Sequence, residues 1–239
     1  MRIYADCYEL MSEIFREVWE MGHIVHPNSM QNKVVKDDDQ FSTKEITNYS
    51  YCLTKLHKVD LLFFTDARAK EWAKAELDER TGPEYENPGK AYKLRKDIWE
   101  EFLNKEGKFD YAYHDRMYVS LDAVIKELRK NRDSRQAIIS VWDPRVDIYG
   151  LGGKRRVPCS MYYQVLVRDG RVNIIYNQRS ADVVTHFGND VYLAFKLMEY
   201  VAKYIEVKPG HLFHNIGSLH AYKKDWPMLK SCINDIQQR

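Results

Sequence analysis

The sequence predicts an α+β fold, and three observations carry that reading. Helix-period and strand-period stretches both occur, without the regular βαβ alternation of a doubly wound sheet. The second half is rich in alternating segments, two of which flank Asp169-Gly170, a two-residue hairpin signal. Aromatic residues make up 13% of the chain, which supplies rings for a well-filled interior. At 239 residues, one domain covering 1–239 with a sizeable core is expected.

The elements follow in order. Tyr4, Tyr8, Met11, Ile14, Phe15, Val18 and Trp19 recur at helical spacing, and Gly22 ends the run. Residues 23–40 are polar and read as loop. Residues 44–53 alternate, with Tyr49, Tyr51 and Leu53 on one face of a strand. Residues 66–79 read as helix, and Thr81-Gly82-Pro83 and Asn87-Pro88-Gly89 mark a surface excursion. A helix over 91–105 carries Ile98, Trp99 and Phe102. Another over 120–130 turns Leu121, Val124, Ile125 and Leu128 inward. Residues 136–142, 160–167, 172–178 and 211–216 read as strands. Residues 190–204 form a long helix with Ala194, Leu197, Met198 and Val201 inward, and 226–236 a final short one.

Composition excludes several classes. Net charge is +2 with 30% charged residues, so direct nucleic-acid binding is not expected. Cys7, Cys52, Cys159 and Cys232 are scattered without a CxxC pair, which argues against zinc and against a disulfide framework. Free thiols fit a reducing cytoplasm. Residues 1–21 are amphipathic and acidic, unlike a signal peptide. No run of about 18 apolar residues occurs, so no membrane span is expected.

Three motifs carry chemistry. Cys159 lies in Val157-Pro158-Cys159-Ser160. A thiolate is a soft nucleophile and forms more readily beside a cation; Arg135, Arg155, Arg156 and Arg179 are available. The plainer alternative is a small buried residue, as most free cysteines are. Gln178-Arg179-Ser180-Ala181-Asp182 follows, and an arginine fork matches phosphate bidentately. Ser218-Leu219-His220-Ala221-Tyr222 comes last, with His220 and Tyr222 at alternate positions able to point the same way.

The ordered set Cys159, Arg179, Asp190 and His220 resembles the thymidylate synthase superfamily, whose members add a one-carbon unit to pyrimidine C5. The resemblance is strongest over 134–222 and weaker over 53–116. It implies a bent mixed sheet covered by helices and a sheet-to-sheet homodimer with shared sites. It implies that Cys159 adds to pyrimidine C6, with Tyr113 nearby, where His114 replaces a family glycine. Arg179 and Ser180, with Gln178 before them, belong to the nucleotide site, and His220 and Tyr222 to the sugar hydroxyl. Asp182 and Trp99 fall on the folate side, and Glu76 would organise water and move protons. Arg135 would cross to the partner's site. Gln136 stands where the family has a second arginine, so Arg116, Lys33 or Arg156 become candidates to replace it. Each residue has a plainer alternative: a solvated helix glutamate for Glu76, a turn cap for Asp182, a buried structural pair for His220 and Tyr222.

Asp190 discriminates most. Methylating members carry an asparagine here, which suits the N3 donor and O4 acceptor of uracil. A carboxyl group suits cytosine better, accepting from N4 and sharing a proton with N3. Here the chain resembles the bacteriophage deoxycytidylate hydroxymethylases. That implies dCMP and 5,10-methylenetetrahydrofolate as substrates, without a metal. The alternative role for Asp190 is a helix N-cap. Residues 223–239 are shorter than the closing tail of methylating members, which tilts the expected product toward hydroxymethyl through water entry. Reductive methylation of dCMP, action on dUMP, and a non-catalytic nucleotide-binding relative remain as alternatives.

Overall fold

Asp169 and Gly170 close the expected hairpin, both with positive φ (51° and 67°), as a primed turn requires. Around that turn the structure, a computed structural model, describes residues 1–237. The elements are β1 (Arg2–Tyr4), α1 (Cys7–Met21), β2 (His23–Val25), β3 (Ser29–Met30), β4 (Lys33–Val34), β5 (Thr43–Leu53), α2 (Arg68–Thr81), α3 (Lys90–Leu94) and α4 (Lys96–Trp99). Then come α5 (Tyr113–Lys130), β6 (Ile138–Ser140), α6 (Pro144–Asp147), β7 (Ser160–Arg168), β8 (Arg171–Asp182), α7 (Phe187–Tyr204), β9 (Lys208–Tyr222) and α8 (Trp226–Gln237). Gln238 and Arg239, at the end of the short C-terminal segment weighed above, lie outside the described residues.

Seven strands form one mixed sheet in the order β1-β5-β9-β8-β7-β6, with β2 also on β5. The β1–β5 and β8–β9 pairs are parallel and the others antiparallel. This mixed sheet with helices bears out the α+β reading. Among the described residues no helix is long and apolar enough to cross a membrane.

Local chemistry explains the helix ends. Asp6 caps α1 by accepting from the N–H groups of Tyr8 and Glu9, and the Gly22 N–H closes the last turn on Val18. Tyr4 differs from the helical expectation: it belongs to β1, and its hydroxyl bonds Tyr49 at 2.8 Å. The helix expected over 91–105 breaks at Arg95, whose side chain is buried and faces Asp66 at 3.3 Å. A tertiary ion pair overrides local propensity there. The 120–130 helix begins earlier, at Tyr113, and the 136–142 strand contracts to β6. The 23–40 loop contains three short strands.

Strand alternation turns the core into a cleft. Along β8, Val172, Ile174 and Tyr176 are buried on one face; along β9 Leu212 and Ile216 are. Farther on, the same face carries Gln178, Ser180 and Asp182 on β8, and Ser218, His220 and Tyr222 on β9. Register pairs Ser180 with Ser218 and Asp182 with His220. At the start of α7, a Cβ on Gly188 would meet the Leu62 carbonyl oxygen at 1.7 Å, so only glycine allows this approach. Asp190 sits in the first turn of that helix.

Candidate active site

The polar continuation of the sheet face floors a cleft of about 590 Å³. Cys159 lines it from the segment just before β7, half-buried, whereas Cys7, Cys52 and Cys232 are buried. Burial pushes the Cys7 thiol up to about 12 and the Cys232 thiol to about 11, so neither is a nucleophile near neutral pH. Three donors converge on Cys159 Sγ: Arg179 Nη2 at 3.7 Å, Ser180 Oγ at 3.7 Å and Gln31 Nε2 at 3.5 Å.

Arg179 also shapes the nucleophile's turn. Its Nε donates to the Pro158 carbonyl at 2.8 Å and its Nη2 to the Val157 carbonyl at 3.2 Å. Gln31, between β3 and β4 with φ of 53°, accepts from the Val157 N–H at 3.2 Å. Gln31 escaped the sequence reading because its segment is polar, irregular and distant in the chain.

Asp190 is held from one side only. Gln178 Nε2 donates to its Oδ2 at 2.7 Å. Gln178 Oε1 accepts from His214 Nε2 at 3.0 Å, and His214 Nδ1 accepts from the Tyr51 hydroxyl at 2.9 Å. Burial holds His214 down to about 3, so the ring is neutral with one N–H. With the Gln178 NH₂ turned to Asp190 and its Oε1 to His214, that N–H is assigned to Nε2. Burial raises the Asp190 carboxyl to about 6, against the Gln178 bond and Arg80, which lower it. The side chain does not cap α7, which starts at Phe187.

The remaining expected residues divide. Asp182 lines the cleft and also caps, accepting from Val184 N–H at 3.0 Å. His220 and Tyr222 both line it, edge to face at 5.1 Å. Burial depresses His220 and raises the Tyr222 phenol. Tyr113 lines it, and its hydroxyl meets Ser160 Oγ at 3.2 Å. Trp99 lines it too, stacked on Trp72 at 5.5 Å.

Glu76 does not line this cleft; it lines a smaller adjoining cavity of about 60 Å³. It accepts from Arg80 Nε at 2.8 Å, and the Arg80 guanidinium lies 3.7 Å from the centre of the Tyr113 ring. His114 lines the same smaller cavity, stacked on Tyr85 at 5.3 Å. Arg135 is exposed and outside the cleft. Of the three replacements considered for the missing arginine, Arg116 pairs with Asp147 at 2.8 Å and Lys33 with Glu101. Only Arg156 lines the cleft. His186 also lines it, beside Trp99 at 5.2 Å and held by burial down to about 4. No spacing signal singles His186 out.

An open thiol, ringed by donors and facing an arginine across a polar sheet edge, defines a site built for nucleophilic attack beside an anion. Residues 83–238 match the thymidylate synthase family, and the chain belongs to that family. It is similar to a putative thymidylate synthase of Methanosarcina barkeri, 32% identical over 54% of this chain and 60% of the relative. It is similar to another from Methanocaldococcus jannaschii, 32% identical over 51% and 56%. It is also similar to the deoxycytidylate 5-hydroxymethyltransferase of Enterobacteria phage T4, 30% identical over 53% and 57%. The chain thus spans little more than half the length of these relatives.

Proposed function

We propose that the chain, as one catalytic domain over 1–239, transfers a one-carbon unit to C5 of dCMP, giving 5-hydroxymethyl-dCMP. The observation that carries this reading is Asp190, raised to about 6 and fixed by Gln178 in the cleft that holds Cys159. Gln178 occupies one lone pair of Oδ2 and leaves Oδ1 for the base. A protonated Oδ1 donates to cytosine N3, and a carboxyl oxygen accepts from the N4 amino group. Sharing that proton withdraws electrons from the ring and favours attack at C6.

Cys159 Sγ adds to C6, and the electron pair released appears at C5. Gln31, Arg179 and Ser180 hold the sulfur in position before attack. Arg179 with Ser180 binds the phosphate, while His220 and Tyr222 take the sugar 3′-hydroxyl. When bound, 5,10-methylenetetrahydrofolate supplies a carbon at the oxidation level of formaldehyde. C5 would gain that carbon as its bonds to the folate nitrogens break and tetrahydrofolate leaves; C5 loses its proton, water supplies the hydroxyl oxygen, and the Cys159 bond breaks to restore the ring. The cleft has room for such a partner: its volume lies in the range of small-molecule sites, and Asp182 and Trp99 are among its lining residues. Glu76 positions Arg80 and Tyr113 rather than touching the base. The fold resemblance supports a homodimer in which Arg135 reaches the partner's phosphate site.

Release of tritium from C5 of labelled dCMP, followed by product mass, tests the reading. No release with retained dCMP binding would leave a nucleotide-binding relative. A methyl product would replace hydroxymethylation by reductive transfer. Mixing Cys159→Ser with Arg135→Ala protein should restore part of the activity; a monomer by light scattering would sink the shared site.

A further inference from the structure

Among the described residues three arginines are almost wholly buried: Arg80, Arg95 and Arg156. Arg80 pairs with Glu76 at 2.8 Å and Arg95 faces Asp66 at 3.3 Å. Arg156, at 9% exposure, has no carboxylate within ion-pair distance among the described residues. Its guanidinium carbon lies 5.0–5.2 Å from the ring centres of Trp99, Phe102, Phe109 and Tyr111. Among the described residues its guanidinium makes one hydrogen bond, a long one from Nη2 to the Tyr111 hydroxyl at 3.5 Å. Arg156 Nε and Trp99 Nε1, in the same ring cluster, are both buried without an acceptor.

Ring faces attract a cation, but they do not satisfy five N–H donors. A buried charge ordinarily keeps a partner because desolvation is costly. Arg156 lines the main cleft on its aromatic wall, with Trp99, Phe102 and Tyr111, just ahead of Cys159 in sequence. The carboxylates on that wall are already engaged, Asp97 with Arg68 at 3.1 Å and Glu101 with Lys33. The missing component is therefore an acceptor-only anion from outside the chain.

We infer that Arg156 anchors a second anion subsite, which takes a carboxylate of the aromatic co-substrate bound beside the nucleotide. The inference rests on the folate reading above and adds a residue and a charge to it. A carboxylate matches the fork bidentately and neutralises one positive charge with one negative. A phosphate ester, carrying nearly two charges at pH 7, would leave excess charge among four rings. Arg179 is the better phosphate site, since Ser180 Oγ lies 3.3 Å from its Nη1 and adds a hydroxyl donor beside the fork.

Tryptophan fluorescence titration of the full chain with saturating dCMP tests this. The probes are folic acid, with glutamate carboxylates, pteroic acid, with a ring carboxylate, and 6-methylpterin, with none. Wild-type protein should favour a carboxylate-bearing probe over 6-methylpterin. Arg156→Met keeps the stem and should lose roughly ten- to hundredfold of that preference, with dCMP affinity retained. Whether pteroic acid suffices identifies which carboxylate is bound. An unchanged preference, or equal loss for all three probes, overturns the subsite and leaves Arg156 as scaffolding for the rings. If Arg156→Met melts below assay temperature, Arg156→Lys, which keeps the charge but not the fork, carries the same readout with a smaller loss. Wild-type protein that binds none of the probes removes the folate reading itself. Binding with preference untouched by either variant sinks the subsite alone.

Discussion

On the strand-edge wall of the cleft, Gln178, Asp182, Ser218 and His220 are placed by ladder register, and each has a hydrogen-bond partner within the chain. On the aromatic wall, Trp99 ends α4, Phe102 and Tyr111 lie outside the α-helices and Tyr113 opens α5, with Trp99–Phe102 and Tyr111–Tyr113 as ring pairs. Two N–H donors there, Arg156 Nε and Trp99 Nε1, have no acceptor. The two walls divide the work accordingly. Those four strand-borne groups, already partnered, can hold a substrate in one orientation. A ring-packed wall with unfilled donors gains its full set of interactions only when a ligand arrives.

The largest test of the strand-edge wall is Cys159→Ser. Turnover should fall by on the order of 10⁴-fold or more, with dCMP binding preserved in equilibrium dialysis. Near-normal turnover would remove Cys159 from the chemistry.

Gly188→Ala probes how α7 presents Asp190. A methyl group would press on the Leu62 carbonyl oxygen at 1.7 Å, and backbone cannot yield as a side chain can. The variant should lose about 1–3 kcal/mol of stability or fail to fold, read by thermal melting. A wild-type melting temperature would mean that the 59–63 segment moves freely.

Asp190→Asn should shift the dCMP/dUMP specificity ratio toward dUMP by about 1–3 kcal/mol, the size of an unpaired buried polar group. Because Asp190 does not cap α7, an unchanged ratio would point away from base recognition and not toward a cap.

The same residue sets a pH dependence. The Asp190 carboxyl titrates at about 6, so the proton shared with N3 is present below that pH and lost above it. The kcat/KM for dCMP should fall as pH rises through 6, and Asp190→Asn, which keeps Cys159 but has no carboxyl to titrate, should lack that fall. The same profile in both proteins would refute the shared proton.

His214→Phe is the smallest test. It keeps a ring beside Tyr176, which His214 stacks at 4.3 Å, but loses the N–H that orients Gln178. Base discrimination should weaken by about 1 kcal/mol, visible in competition kinetics. No change would mean that Gln178 is oriented by Asp190 alone.

Much of the strand-edge wall was legible in the sequence. Alternation along 172–178 and the motifs at 159, 178–182 and 218–222 placed the right residue types at strand ends, and the Asp169-Gly170 turn set the β7–β8 register. The aromatic wall was not. Its helix breaks at Arg95 for a tertiary ion pair, and Glu76, expected beside the base, turns to Arg80 behind the cleft. Starting the 190–204 helix at Asp190 also invited a capping role that the earlier start at Phe187 removes.

What the sequence determined by itself is what short-range physics controls: side-chain period, turn chemistry, cap residues, and a thiol and an arginine in a recognisable local pattern. Tertiary structure alone decided which distant groups meet. Gln31 reaches Cys159, His214 fixes the Gln178 amide that grips Asp190, and four rings surround Arg156. These convergences depend on strand register and helix docking, and each joins residues whose local preferences carry no information about the other.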